Sequence, residues 1–251
     1  YEAGGDDLYE IQSQVAESIA EALRLQFQPD RPTATATVRP TDNAAAYEAY
    51  LRGRLHASRL VNLDDAREAV RHMEVAVGLD DRFAAAFAIL ATSRLFLAHV
   101  FAESDQFEAS DRALQRAMEL APDAPETWLA EAYHFSYADQ NYDAALARLD
   151  QVLAGGPSDA EAFGLKGFVE RRKGLWNEAA VTMTRALALD PNSYTTTVVL
   201  AEMYMRMRQY DNAELLLDRA IAISPGGELA YVQKALLHLN ALGDTAGARI
   251  I

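Results

Sequence analysis

Five histidines are the residues best suited to chemistry in this sequence: His56, His72, His99, His134 and His238. Two imidazoles four residues apart on one helix would present both nitrogens to a single zinc ion, and no two of the five have that spacing. Cysteine is absent, so disulfides and thiolate metal sites are excluded. Paired acids occur at Asp6–Asp7, Asp64–Asp65 and Asp80–Asp81. They stand where helices are expected to begin or end, and there a carboxylate caps free amides and complements the helix dipole. The sequence has no GxSxG elbow, no P-loop and no GxGxxG turn. "GGP" at 155–157 and "PGG" at 225–227 read as helix-ending turns. No catalytic, cofactor or metal site is expected, and binding is the remaining role.

The elements that would carry a binding surface repeat. "WNEAAVTMTRALALDP" at 176–191 returns as "YDNAELLLDRAIAISP" at 210–225 and as "YDAALARLDQVLAGGP" at 142–157. It appears more loosely as "FEASDRALQRAMELAP" at 107–122. Pro157, Pro191 and Pro225 are spaced by 34 residues. Each copy reads as the second helix of a hairpin, stopped by a proline that lacks an amide hydrogen and clashes with the preceding turn. The first helix of unit 160–193, "AEAFGLKGFVERRKG", places Phe163, Gly167 and Glu170 on one face and ends at Gly174. Small residues at Gly167, Ala179 and Ala186 are expected where helices cross. Trp176, Tyr142 and Tyr210 are expected to fill gaps beside the turns. One such hairpin cannot bury its apolar face alone, and stacking on the next one completes the core.

These residues resemble the tetratricopeptide repeat family. Units 160–193 and 194–227 follow its pattern without gaps, through Phe163, Gly167, Trp176, Ala179, Ala186 and Pro191, then Leu200, Ala201, Tyr204, Tyr210, Ala213, Ala220 and Pro225. Unit 125–159 has one extra residue, unit 82–124 a longer insertion at 97–107, and unit 43–81 is divergent, with Asp81 in place of the proline. A sixth unit begins at Glu228. The resemblance implies an all-α, right-handed superhelical solenoid whose first helices line a concave groove for peptides or partner helices. Carried over by position, the groove residues are Leu129, Tyr133 and Tyr137; Phe168, Arg171 and Arg172; Val198, Glu202, Met205 and Arg206; and Val232 and Leu236. The same side chains would equally serve packing against another helix of the protein.

Residues 1–28 are expected to form a separate amphipathic helix, with Leu8, Ile11, Val15, Ile19 and Leu23 in one stripe over 8–27. Residues 29–42 read as a Pro/Thr linker, and the solenoid occupies 43–251. This order is similar to bacterial regulators in which a TolB-like domain precedes such repeats, some carrying adenylate-cyclase or winged-helix domains. It implies a protein-binding or regulatory module of a larger signalling protein, in bacterial cytoplasm or periplasm. The helix is then the end of a preceding domain, or a cap on the first unit. Beginning at Tyr1 and ending inside an apparent helix, the chain is read as a piece of a longer protein. A homo-oligomerisation module is the alternative.

The net charge of −14 disfavours phosphate backbones, so no nucleic acid is expected as partner. The apolar run 83–102 approaches bilayer length, but it carries Arg94 near its centre and is expected as a helix buried between helices, not a membrane insertion.

Overall fold

The computed structural model describes residues 40–58, 63–156, 158–243 and 247. The expected helix at 8–27, most of the linker at 29–42 and Pro157 lie outside them. The described residues form α1 (Ala44–Ala57), α2 (Leu63–Leu79), α3 (Ala84–Val100), α4 (Gln106–Leu120), α5 (Pro125–Tyr137), α6 (Tyr142–Gly155), α7 (Ala160–Arg172), α8 (Trp176–Leu189), α9 (Tyr194–Arg206), α10 (Tyr210–Ile223) and α11 (Glu228–Leu236). A short π-helical segment, Leu237–Leu242, continues α11. Odd- and even-numbered helices pair as hairpins, α1 with α2 through α9 with α10, and the hairpins stack in chain order. This is the expected all-α solenoid of tetratricopeptide type.

Local sequence explains where these helices start and stop. Asn43, Asn141, Asp159 and Ser193 accept hydrogen bonds from the amides of Ala46, Ala144, Ala162 and Thr196, which caps α1, α6, α7 and α9. Each first helix of units two to five is followed by one residue in the left-handed region: Ala102 (φ 59°), Gln140 (φ 52°), Gly174 (φ 82°) and Arg208 (φ 59°). After Gly174 and Arg208, the amides of Leu175 and Gln209 return to the carbonyls of Glu170 and Tyr204 at 3.0 and 2.8 Å. In unit three, where the sequence has one extra residue, the amide of Asn141 reaches one position further back, to Phe135, at 2.7 Å. The insertion of unit two is largely absorbed as helix: α3 has 17 residues where α5, α7 and α9 have 13, about one additional turn.

Small residues set the spacing between helices. A Cβ on Gly167 would stand 2.5 Å from Met183 Cγ and 3.3 Å from the Ala179 carbonyl oxygen, so only glycine allows α7 and α8 to cross this closely. Ala179 and Ala186 are buried beside that crossing. Gly53 plays the same part between α1 and α2, where a Cβ would meet Met73 Cε at 2.8 Å and His72 Cβ at 3.2 Å. Between units five and six, Tyr194 Oη donates to the Gly227 carbonyl at 2.9 Å and accepts from the Ala230 amide at 3.0 Å.

The apolar run at 83–102 is α3, packed among α2, α4 and α5. Its Arg94 pairs with Glu74 of α2 at 2.5 Å. Among the described residues no helix is long and apolar enough to cross a membrane.

Candidate functional site: the concave aromatic groove

Tyr133 and Tyr137 lie one turn apart on α5, and Phe168 occupies the matching place on α7. The Tyr137 and Phe168 rings stack across the unit boundary, 5.2 Å apart and 9° from parallel. Tyr133 and Phe96 approach Tyr137 at 6.2 Å each, and His99 meets it edge-on at 5.1 Å. Two guanidinium groups sit over Phe168: Arg171 at 5.2 Å and Arg172 at 5.0 Å from the ring centre. The outcome is one continuous surface of aromatic faces with cations at its α7 end. Burial pushes the Tyr137 hydroxyl up to about 12, against the lowering influence of Arg172 and Arg171.

The stack borders a cavity of about 220 Å³. Its walls are Tyr133, Tyr137, Glu161, Gly164 and Phe168, with Thr195, Thr196 and Val199 of α9 beyond them. The end of α1, at Ala57 and Ser58, faces them from across the concavity. Gly164 keeps that wall low, since a Cβ there would already touch Thr196 Oγ1 at 3.4 Å. Glu161 accepts a hydrogen bond from Tyr133 Oη at 3.0 Å. Desolvation in the groove raises the Glu161 carboxyl, and the bond from Tyr133 opposes the shift. The same desolvation, joined by the Glu161 charge, holds the Tyr133 hydroxyl well above its ordinary value. A second recess of about 170 Å³ joins Tyr50, Arg54, Ile89, Glu126, Leu129 and Asp159.

The structure thus gathers Tyr133, Tyr137, Phe168, Arg171 and Arg172 in one place, and distributes the other expected groove residues differently. Leu129 lines the second recess. Val198 is 2 % exposed and packs with Ala220 and Ala230, so it is a core residue, not a lining one. The physical reason is the tight fit of Gly227 on Tyr194, which brings the start of α11 over it. Met205 is half-buried against Ala213, Leu217 and Leu237. Glu202 bridges Arg171 at 3.2 Å and Arg206 at 2.9 Å, so both arginines are held by one carboxylate whose single charge they share. Arg172 forms no ion pair among the described residues and lies over Phe168 with its charge uncompensated. Val232 and Leu236 stand exposed on α11.

The sequence reading missed Phe96, His99 and Glu161. They belong to unit two, at the edge of its insertion, and to a first-turn position that the repeat pattern leaves variable. It also missed that His56 of α1 and His72 of α2 meet, their rings 5.7 Å apart and 14° from parallel, because they lie on different helices. One ligand atom from each of His56, Glu68 and His72 falls within 4.8 Å of the others.

Comparison with known proteins agrees with this architecture. Residues 171–237 match the model of the tetratricopeptide repeat family. None of the curated proteins matches the chain by sequence. Among solved structures, PilW, a widely conserved type IV pilus biogenesis factor, is similar with TM-score 0.59 at 18% identity, over 83% of this chain and 90% of PilW. TTC0263, a thermophilic tetratricopeptide repeat protein of Thermus thermophilus, is similar with TM-score 0.59 at 20% identity, over 78% of this chain and all of that one (100%). A human IFIT1 dimer with m7Gppp-AAAA is similar with TM-score 0.65 at 18% identity, over 98% of this chain, which spans 55% of IFIT1. At these identities the likeness is one of fold.

Proposed function

We propose that this tetratricopeptide-type solenoid is a non-catalytic scaffold that docks a segment of a partner protein in its concave groove. The observation that carries the reading is the Tyr137–Phe168 stack with Arg172 over it, beside an open cavity. Aromatic faces supply large contact areas at low conformational cost, and the guanidinium favours an acidic residue nearby. The ligand is a peptide segment with spaced apolar anchors and at least one acidic side chain. IFIT1 was solved with m7Gppp-AAAA, but the net charge of −14 here favours a peptide over a phosphate backbone. The sequence order of an expected amphipathic helix, a Pro/Thr-rich stretch and the repeats supports a place in a larger bacterial signalling protein, where the groove would recruit a partner or one of the protein's own segments.

The test is selection of random displayed peptides on the full chain, followed by titration of the selected peptides. Enriched peptides with apolar anchors and acids, weakened by Phe168→Ala and Arg172→Ala, support the reading. Selected peptides that bind both variants as they bind the wild type refute it.

Self-association is the second reading, and α11 with the π-helical segment that continues it favours it. Leu229, Val232, Leu236 and Leu239 recur at helical spacing and are all exposed. Light scattering over a concentration series distinguishes the two: a mass that stays at one chain removes self-association.

A further inference from the structure

We infer that the first hairpin contains a divalent transition-metal site formed by His56, Glu68 and His72, with zinc its natural occupant. Gly53 creates it. Without a Cβ at that position α1 and α2 approach closely, and His72, whose own Cβ lies 3.2 Å from where the Gly53 Cβ would be, is held against α1. His56, one turn further along α1, then meets His72 ring to ring at 5.7 Å. Glu68 stands one turn before His72 on α2, its Oε2 3.7 Å from His72 Nε2. Two imidazoles and one carboxylate form a donor set suited to zinc and its neighbours, and poorly suited to magnesium or calcium, which take oxygen ligands.

Two further features are independent of that proximity. His56 Nδ1 lies 2.8 Å from Asp65 Oδ1. A carboxylate bonded to one ring nitrogen fixes the ring and leaves the lone pair on the other, the support that metal-binding histidines usually have. The second feature is Arg71. Its Nη2 stands 3.2 Å from His72 Nε2 and 2.5 Å from Glu68 Oε2, so an imidazole lone pair and a carboxylate oxygen already converge on one cationic group. The Arg71 side chain is 59% exposed, so leaving that position costs little. Tetrahedral zinc requires ligand atoms about 3.4 Å apart, given bonds of about 2.0–2.1 Å. The three donors, now within 4.8 Å, must close by side-chain rotation. Three protein ligands leave a fourth position for water.

The test is zinc titration of the chelator-treated full chain, followed by calorimetry and by thermal unfolding with and without metal. One saturable equivalent and a raised unfolding temperature are expected. His56→Gln and His72→Gln should each weaken binding at least about tenfold, and Asp65→Asn about tenfold or more through the lost support. Arg71→Ala, a change at the surface that leaves the hairpin folded, should tighten binding, because the competing cation is gone. His238→Gln, distant on the π-helical segment, should bind as wild type does. Absence of saturable binding overturns the site. So does zinc binding that His56→Gln and His72→Gln leave unchanged, which would place the metal on the acidic surface elsewhere. Weaker binding by Arg71→Ala would show that the guanidinium supports the ion instead of occupying its place, and would also overturn the arrangement.

Discussion

Tyr137 and Phe168 stack face to face across the boundary between the third and fourth hairpins, 5.2 Å apart. The same rings that would receive a ligand therefore hold two units together. Removing either should cost stability as well as binding. A double-mutant cycle with Tyr137→Ala and Phe168→Ala, read by urea unfolding, should show coupling of about 0.5–1.5 kcal/mol. Additive losses would mean that the two rings act independently.

Gly167 and Ala179 should tolerate no added bulk. Gly167→Ala forces a Cβ to within 2.5 Å of Met183, and it or Ala179→Leu should cost about 1–3 kcal/mol. Ala188→Leu, on the exposed side of α8, should be close to neutral. Gly78→Ala meets nothing within 4 Å and should stabilise by about 0.5–1 kcal/mol. Urea midpoints for the four variants check the assigned crossing, and equal shifts would show it wrong.

Arg208 and Gln140 occupy the left-handed position that Gly174 fills without strain. Arg208→Gly and Gln140→Gly should each raise stability by about 0.5–1 kcal/mol, and Gly174→Ala should lower it by about 1–2 kcal/mol. Thermal melts of the three variants test the turn geometry.

Glu170 is buried, and its Oε2 has no hydrogen-bond partner. Desolvation raises its carboxyl above the ordinary 4.5, and a bond with Thr182 opposes the shift. The folded chain therefore keeps this proton to higher pH than the unfolded chain does. Just above 4.5 the native state binds more protons, so stability falls as pH rises through the raised value. Its contribution is fully present below the ordinary value. Glu170→Gln should flatten that part of the stability profile and make the chain more stable than wild type near neutral pH. Denaturant midpoints from about pH 4 to 8 measure it, and parallel profiles for the two proteins would contradict it.

The solenoid was legible because its causes are local and repeated. Gly167, Ala179 and Ala186 mark crossings by their size, Gly174 marks a turn, and Pro191 and Pro225 follow the helices they stop. The groove was legible only in part, because its details depend on how neighbouring units close. Val198 has the pattern of a lining residue, yet the contact of Tyr194 with Gly227 and Ala230 draws α11 over it, and the bond to Ala230 joins residues 36 apart in different units. Glu202 pairs with Arg171 from the next hairpin, 31 residues away. His56 and His72 were hidden for the same reason. Their meeting follows from the antiparallel register that Gly53 and Met73 set, and a reading confined to one helix at a time does not see it.

The Tyr137–Phe168 stack is the proposed docking surface. Its most direct test is the affinity of a groove-selected peptide for wild type, Phe168→Ala and Arg172→Ala, measured by fluorescence anisotropy at two salt concentrations, with circular dichroism verifying that each variant is folded. Phe168→Ala should lose about 2 kcal/mol or more, roughly thirtyfold in Kd. Arg172→Ala should lose less and should bind with weaker salt dependence. Wild-type affinity and salt dependence retained in both folded variants would place the binding surface elsewhere on the solenoid.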